Sequence, residues 1–259
     1  MSNHNIKIQY DDSYSDDDYD SYSNDDIDTK STRILSHPIA GGNDTGFLPD
    51  IDINLPDRIC LLGQSETGKT TIIRYIIKLM RAKFAVACVW WISPNSGQET
   101  WIPKRYRRTS ISKSLLTGIR ELQRTPAFKN SHQIVVLDDC IGENFHRDKF
   151  WDDYISTCRH DRVSLIIGLQ YLKGMAPVMR ENIKQWILTH ANNQTLKHLY
   201  ELSANPNFSA WRHHFSKIEI GHPVMMDVRP NKPELQVLSI PRCEPNDMNW
   251  MFDLTNQNF

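Results

Sequence analysis

No stretch of this 259-residue chain approaches the roughly 18 apolar residues of a membrane-spanning helix, and its N-terminus lacks the charged-then-apolar layout of a secretory leader. The five cysteines (Cys60, Cys88, Cys140, Cys158 and Cys243) are odd in number and widely spaced, with no Cys-x-x-Cys pair. They exclude a disulfide framework and a zinc ribbon, and they read as free, mostly buried thiols of a reducing compartment. Ten histidines show no metal-ligand spacing, and His213 and His214 are adjacent, which is poor geometry for two ligands of one ion. There is no internal repeat. The expectation is an intracellular protein without a membrane span.

What is present suffices for one sizeable core: 39% of residues are hydrophobic. The formal net charge of −1 hides two unlike parts. Residues 1–31 hold nine Asp against Lys7 and Lys30, a charge of −7, and the remaining 28 basic and 22 acidic side chains give +6. The Asp/Ser/Tyr tract Asp11–Asp28 has too little apolar surface to offset the entropy of ordering, so residues 1–31 are expected to be a disordered acidic tail. Its reading stays open among a solubilising segment, an arm that competes with DNA for a basic surface, and a docking segment. Residues 32–225 are expected to form the core with a short lead-in, and 226–259 a C-terminal extension packed on it.

Within the core, apolar runs alternate with helical stretches. Arg58–Leu62, Phe84–Ile92, Gln133–Leu137, Ser164–Leu169 and Gln185–Thr189 read as buried strands. Thr70–Lys83, Ile111–Gln123, Phe150–Arg159 and Gln194–Ser203 read as helices. Continuous apolar strands separated by helices predict an α/β fold with a mostly parallel sheet covered on both faces. Beyond Pro206 the prolines break the chain into short elements, with Val224–Val228 and Leu235–Ile240 as further strand candidates. Trp90 and Trp91 read as core residues of their strand.

Gly63-Gln64-Ser65-Glu66-Thr67-Gly68-Lys69-Thr70 fits the phosphate-binding pattern G-x-x-x-x-G-K-[ST] in full. Its glycines let successive backbone N–H groups point inward at phosphates. Lys69 supplies a point charge to the β- and γ-phosphates, Thr70 a hydroxyl for Mg2+, and the helix carrying Thr71 its positive N-terminal end. The chain is thus expected to bind ATP with Mg2+ through Gly63–Thr71. Asp138 and Asp139 end the strand Gln133–Leu137. A carboxylate there lies in the crevice where α/β sheets bind ligands, which gives Asp138 to Mg2+ and Asp139 to the attacking water, or to capping the segment after Cys140. Gln170, at the end of the fourth strand, is the candidate sensor of the γ-phosphate. Lys104-Arg105-Tyr106-Arg107-Arg108 is the densest basic cluster and reads either as a solvated loop or as a contact to phosphate backbone.

The order of the P-loop, Ile134-Val135-Val136-Leu137-Asp138-Asp139, Cys158–Gln170 and Met179–Ile187 resembles the FtsK–HerA superfamily of P-loop NTPases. Within it the chain is similar to the poxvirus-type genome-packaging ATPases of large DNA viruses and virophages, over about Ile51–Asn205. The specific part is Arg159-His160 ahead of the Val163–Gln170 strand, then Arg180-x-Asn182 before another apolar strand. This resemblance implies a RecA-like (ASCE) core in which the Gln170 strand lies between the P-loop and Asp-Asp strands. It implies a homo-oligomeric ring that moves double-stranded DNA, a capsid or portal partner, and a place in host-cell cytoplasm, virus factory or virion. By family position Arg159, or else Arg180, is the cation offered to a neighbour's ATP. Asp139 stands where many members have Glu. Two other classes fit the nucleotide motif, a nucleotide-gated DNA- or capsid-binding protein with little turnover and a nucleotide kinase; the Asp138-Asp139 and Gln170 arrangement speaks against the kinase.

Overall fold

The first strand, β1 (Arg58–Leu62), is buried at every position, as a strand with both faces covered must be. The computed structural model describes residues 53, 55–140, 149–172, 175–190, 192–203, 207–213, 215, 218, 222–229, 235–238 and 240–252. The acidic tail lies outside the described residues, as does the segment after Cys140 that Asp139 is expected to cap.

From β1 the chain runs into α1 (Lys69–Lys83), β2 (Val86–Ile92), β3 (Arg107–Arg108), α2 (Lys113–Arg124), β4 (His132–Asp138), α3 (Lys149–Thr157), β5 (Val163–Leu169), α4 (Pro177–Asn182) and β6 (Gln185–Leu188). α5 (Asn193–Tyr200), α6 (Phe208–His213), β7 (Val224–Asp227), β8 (Leu235–Val237) and a 3-10 helix at Pro245–Phe252 follow. The described strands form one sheet in the order β3-β2-β4-β5-β1-β6-β7-β8. β3 through β6 pair in parallel, and β7 and β8 add an antiparallel edge. The fold is α/β with a mostly parallel sheet flanked by helices. β5 does lie between β4 and β1.

Right-handed crossovers fix the layers. The α1 connection moves from β1 past β5 and β4 to β2, whereas those through α2, α3 and α4 move the opposite way, so α1 covers one face and the other three helices cover the second. α3 packs on α4, and the C-terminal 3-10 helix packs on α1. Ile72, Ile73, Ile76, Ile77 and Met80 of α1 are buried. Ser112 caps α2 by accepting from the Leu115 N–H at 3.1 Å, and Asn192 caps α5 through the Thr195 N–H at 2.9 Å. Trp90 and Trp91 are buried at 4% and 1% exposure, in the core as read from their strand.

Three elements differ from the sequence reading. The second strand starts at Val86, because Phe84 is the C-cap of α1. The last strand stops at Val237 rather than at Ile240. The basic cluster is not simply a loop: Arg107 and Arg108 form β3 beside Trp91 and Ile92.

Candidate nucleotide site

The loop between β1 and α1 starts where the sheet ends, with the Gly63 N–H donating to Leu169 O of β5 at 3.1 Å. Glu66 (φ 64°) and Gly68 (φ 89°) take left-handed backbone, the alternation that turns consecutive N–H groups into one concavity. Gly68 is also the N-cap of α1 and brings no side chain to the helix end. Lys69 is only 5% exposed, and its ammonium donates to Gly63 O (2.8 Å) and Gln64 O (2.9 Å) within the loop.

Sequence reasoning missed Thr189, the residue after β6. Its Oγ1 lies 2.6 Å from Thr67 Oγ1 and donates to Leu62 O at 3.2 Å. A Cβ on Gly63 would come within 1.8 Å of that hydroxyl oxygen, so the first motif glycine is required by close approach of β6. No local signal marks Thr189, because parallel pairing of β6 with β1 is what brings it there.

Thr70 Oγ1 donates to Asp138 Oδ2 at 3.2 Å, which joins the loop to the end of β4. Asp138 is 7% exposed, and its Oδ1 is buried with no hydrogen-bond partner among the described residues. The carboxylate is pushed up to about 6, first by burial and then by the neighbouring charge of Asp139; the Thr70 hydrogen bond and Lys69 oppose this. Gly168 of β5 makes room for it: a Cβ there would meet Asp138 Oδ1 at 2.4 Å. A lone glycine inside an apolar strand was a readable signal for such an approach.

Asp139 is exposed and left-handed (φ 53°), and its N–H donates to Gly168 O at 3.1 Å. Gln170 is half-buried and its Nε2 donates to Asp139 Oδ2 at 3.3 Å. The loop, Asp138, Asp139 and Gln170 therefore meet at the carboxyl edge of β1, β4 and β5, as in α/β ligand crevices. A buried carboxylate oxygen with no donor, beside a hydroxyl, fits a hard cation. Among the described residues no three His, Cys, Asp or Glu side chains cluster as a metal cage.

The two arginines are placed differently. Arg159 is exposed in the 3-10 turn Cys158–Asp161 that precedes β5, at the opposite edge of the sheet. Seven residues of strand separate it from Gln170, roughly 20 Å. Arg180 is half-buried in α4 and lines a cavity of about 340 Å³ with Tyr171, Met175, Asn192 and His198.

The family model described as Poxvirus A32 protein matches residues 52–204. Two curated relatives are similar: uncharacterized protein 075L of Invertebrate iridescent virus 6 (22% identical, 62% of this chain and 66% of the relative) and uncharacterized protein 015R of Frog virus 3 (24% identical, 54% and 46%). The chain thus spans 66% and 46% of the length of those relatives. Among solved structures it resembles the genome-packaging NTPase B204 of Sulfolobus turreted icosahedral virus 2 in complex with ATP-gammaS (TM-score 0.57, 15% identity, covering 73% of this chain and 100% of that one). It also resembles the pCW3 conjugation coupling protein TcpA with ATPgS (TM-score 0.53, 14% identity, 78% and 66%). At such identities the likeness is one of fold. With more than half of its length matched by the family model, the chain belongs to the Poxvirus A32 protein family.

Proposed function

We propose that this chain is the ATP-hydrolysing subunit of a viral genome-packaging motor, which drives double-stranded DNA into a preformed capsid. The observation that carries the enzymatic part is the convergence of Thr70, the orphaned Asp138 oxygen, Asp139 and Gln170 on one edge of the P-loop strand. The DNA part is supported by family membership and by the likeness in fold to B204, a genome-packaging NTPase.

In this reading the N–H groups of Gly63–Thr71 cradle the phosphates, and Lys69 exchanges its two carbonyl contacts for β- and γ-phosphate oxygens. Thr70 and Asp138 would hold Mg2+, which when bound would supply positive charge to neutralise the phosphates. Asp139 orients the attacking water and accepts its proton. Gln170, already donating to Asp139, exchanges that bond for one to the γ-phosphate or the water, so the loss of phosphate is felt at the end of β5. Arg159 lies too far away to serve its own chain's ATP. This supports a ring in which each subunit offers Arg159, or failing that Arg180, to its neighbour. A capsid or portal protein is the proposed partner, and host-cell cytoplasm, virus factory or virion the proposed place.

The test is ATP hydrolysis by purified protein with and without duplex DNA, beside a Lys69→Ala control. Turnover should rise with duplex and vanish in the control. Turnover indifferent to DNA, or none in assembled rings, would sink the motor reading and leave the nucleotide site standing.

A further inference from the structure

At the edge of the sheet farthest from β8, four cations fall within five residues: Lys104, Arg105, Arg107 and Arg108. The three arginines are held in place by the fold. Tyr106 and Trp90 are buried (7% and 4% exposed) and packed edge to face at 4.9 Å. The Arg105 guanidinium lies 5.0 Å from the centre of the Tyr106 ring, and that of Arg108 lies 5.9 Å from the Trp90 ring. Trp90 is itself tied down, donating from Nε1 to Gln133 Oε1 at 2.7 Å. Arg108 donates to the carbonyls of Arg105 (2.9 Å) and Arg107 (2.8 Å), and Arg107 donates to Gly97 O at 3.2 Å. Among the described residues, Lys104, Arg105 and Arg107 form no ion pair.

A solvated loop leaves its cations mobile and must order them on binding, which costs side-chain entropy. Here aromatic faces and backbone carbonyls order the guanidiniums beforehand. β3 pairs with Trp91 and Ile92, the residues in register with Val136 and Leu137, so the cluster sits on the same edge of the sheet as Asp138. Four strand spacings separate β3 from the P-loop strand, about 19 Å. The rings are buried and turned to the cations, so they offer no face for stacking unpaired bases, which single-strand sites need.

We infer that the Lys104–Arg108 edge is a preformed site for the phosphate backbone of duplex DNA, separate from the nucleotide site. The inference rests on the DNA-motor reading and names the surface that holds the duplex. A contact to the phosphate backbone is sequence-independent and steeply salt-dependent.

The test uses fluorescence anisotropy of the full chain with a labelled 40-base-pair duplex over a salt series, with DNA-free ATP hydrolysis measured alongside. Lys104 and Arg105 are exposed, so Lys104→Gln/Arg105→Gln should fold. The double variant should bind duplex about 10-fold or more weakly near 0.1 M salt, with a log–log salt slope shallower by about 2. Its DNA-free hydrolysis should be unchanged. The charge-keeping swap Lys104→Arg/Arg105→Lys should retain most of the affinity. An unchanged affinity and slope in the Gln variant overturns the site while the motor reading stands. A wild type that prefers the single strand overturns the duplex assignment, and one that hydrolyses ATP yet binds no DNA overturns both readings.

Discussion

Asp138 combines requirements that conflict. In the proposed role it must be ionised to hold a cation, yet burial and Asp139 raise it from its ordinary 3.8 to about 6. Between those values the folded protein binds more protons than the unfolded chain, so stability falls as pH rises from about 4 to about 6 and the loss is complete above that. At 1.36 kcal/mol per pH unit the loss reaches at most about 3 kcal/mol. Asp138→Asn in nucleotide-free protein should therefore be more stable than wild type at pH 7 by an amount up to that size. It should also lose the decline across this window, while hydrolysis drops by about 100-fold or more. Urea midpoints across pH, set beside turnover, check both halves. A variant less stable than wild type at pH 7 would show that Asp138 is already compensated without a ligand.

At the scale of elements, α1 is held at its start and again in its second turn. Its start is the phosphate loop; farther along, Arg74 forms a fork with Glu99 (2.9 and 2.6 Å) and reaches the carbonyl of Cys243 at 3.2 Å. Trp101 Nε1 donates to the same Glu99 carboxylate at 2.6 Å. The pair is nearly dry, with side chains 9% and 3% exposed, so one charge removed leaves the other stranded. Glu99→Gln should cost about 3 kcal/mol in urea unfolding, and Arg74→Met/Glu99→Met should lie closer to wild type than the single variant. A Glu99→Gln loss below about 1 kcal/mol would mean that water reaches the pair. The sequence shows neither partner as special, because 25 positions separate them and their packing joins them. By contrast β1, β4 and β5 were legible to within a residue, because a strand covered on both faces must be apolar throughout. β3 was not, since two arginines on an edge strand carry no apolar signal.

For the whole molecule, the sheet separates two chemistries. Phosphate loop, Asp138 and Gln170 share the carboxyl edge, and Arg159 occupies the other. The proposal that Arg159 serves a neighbouring subunit predicts complementation. Arg159→Ala and Lys69→Ala, each inactive alone, should regain part of wild-type turnover when mixed, because the Lys69→Ala subunit still offers Arg159 to an intact site. Mixing the purified variants and following phosphate release checks this. If Arg180→Ala complements in its place, the finger belongs to α4, and if neither does, the cation is not shared between subunits.

The sequence by itself determined the local chemistry. Gly63–Thr70 carries its own backbone geometry and charges, and the acids sit next to an apolar run whose burial forces its end to the sheet edge. The tertiary structure decided what depends on residues far apart in the chain. Parallel pairing of β6 with β1 set Thr189 against Gly63, and pairing of β5 with β4 set Gly168 beneath Asp138. Packing of Trp90 on Tyr106 gave the basic edge its order. A contact across many residues depends on register and on which face each helix covers, and composition along the chain encodes neither directly.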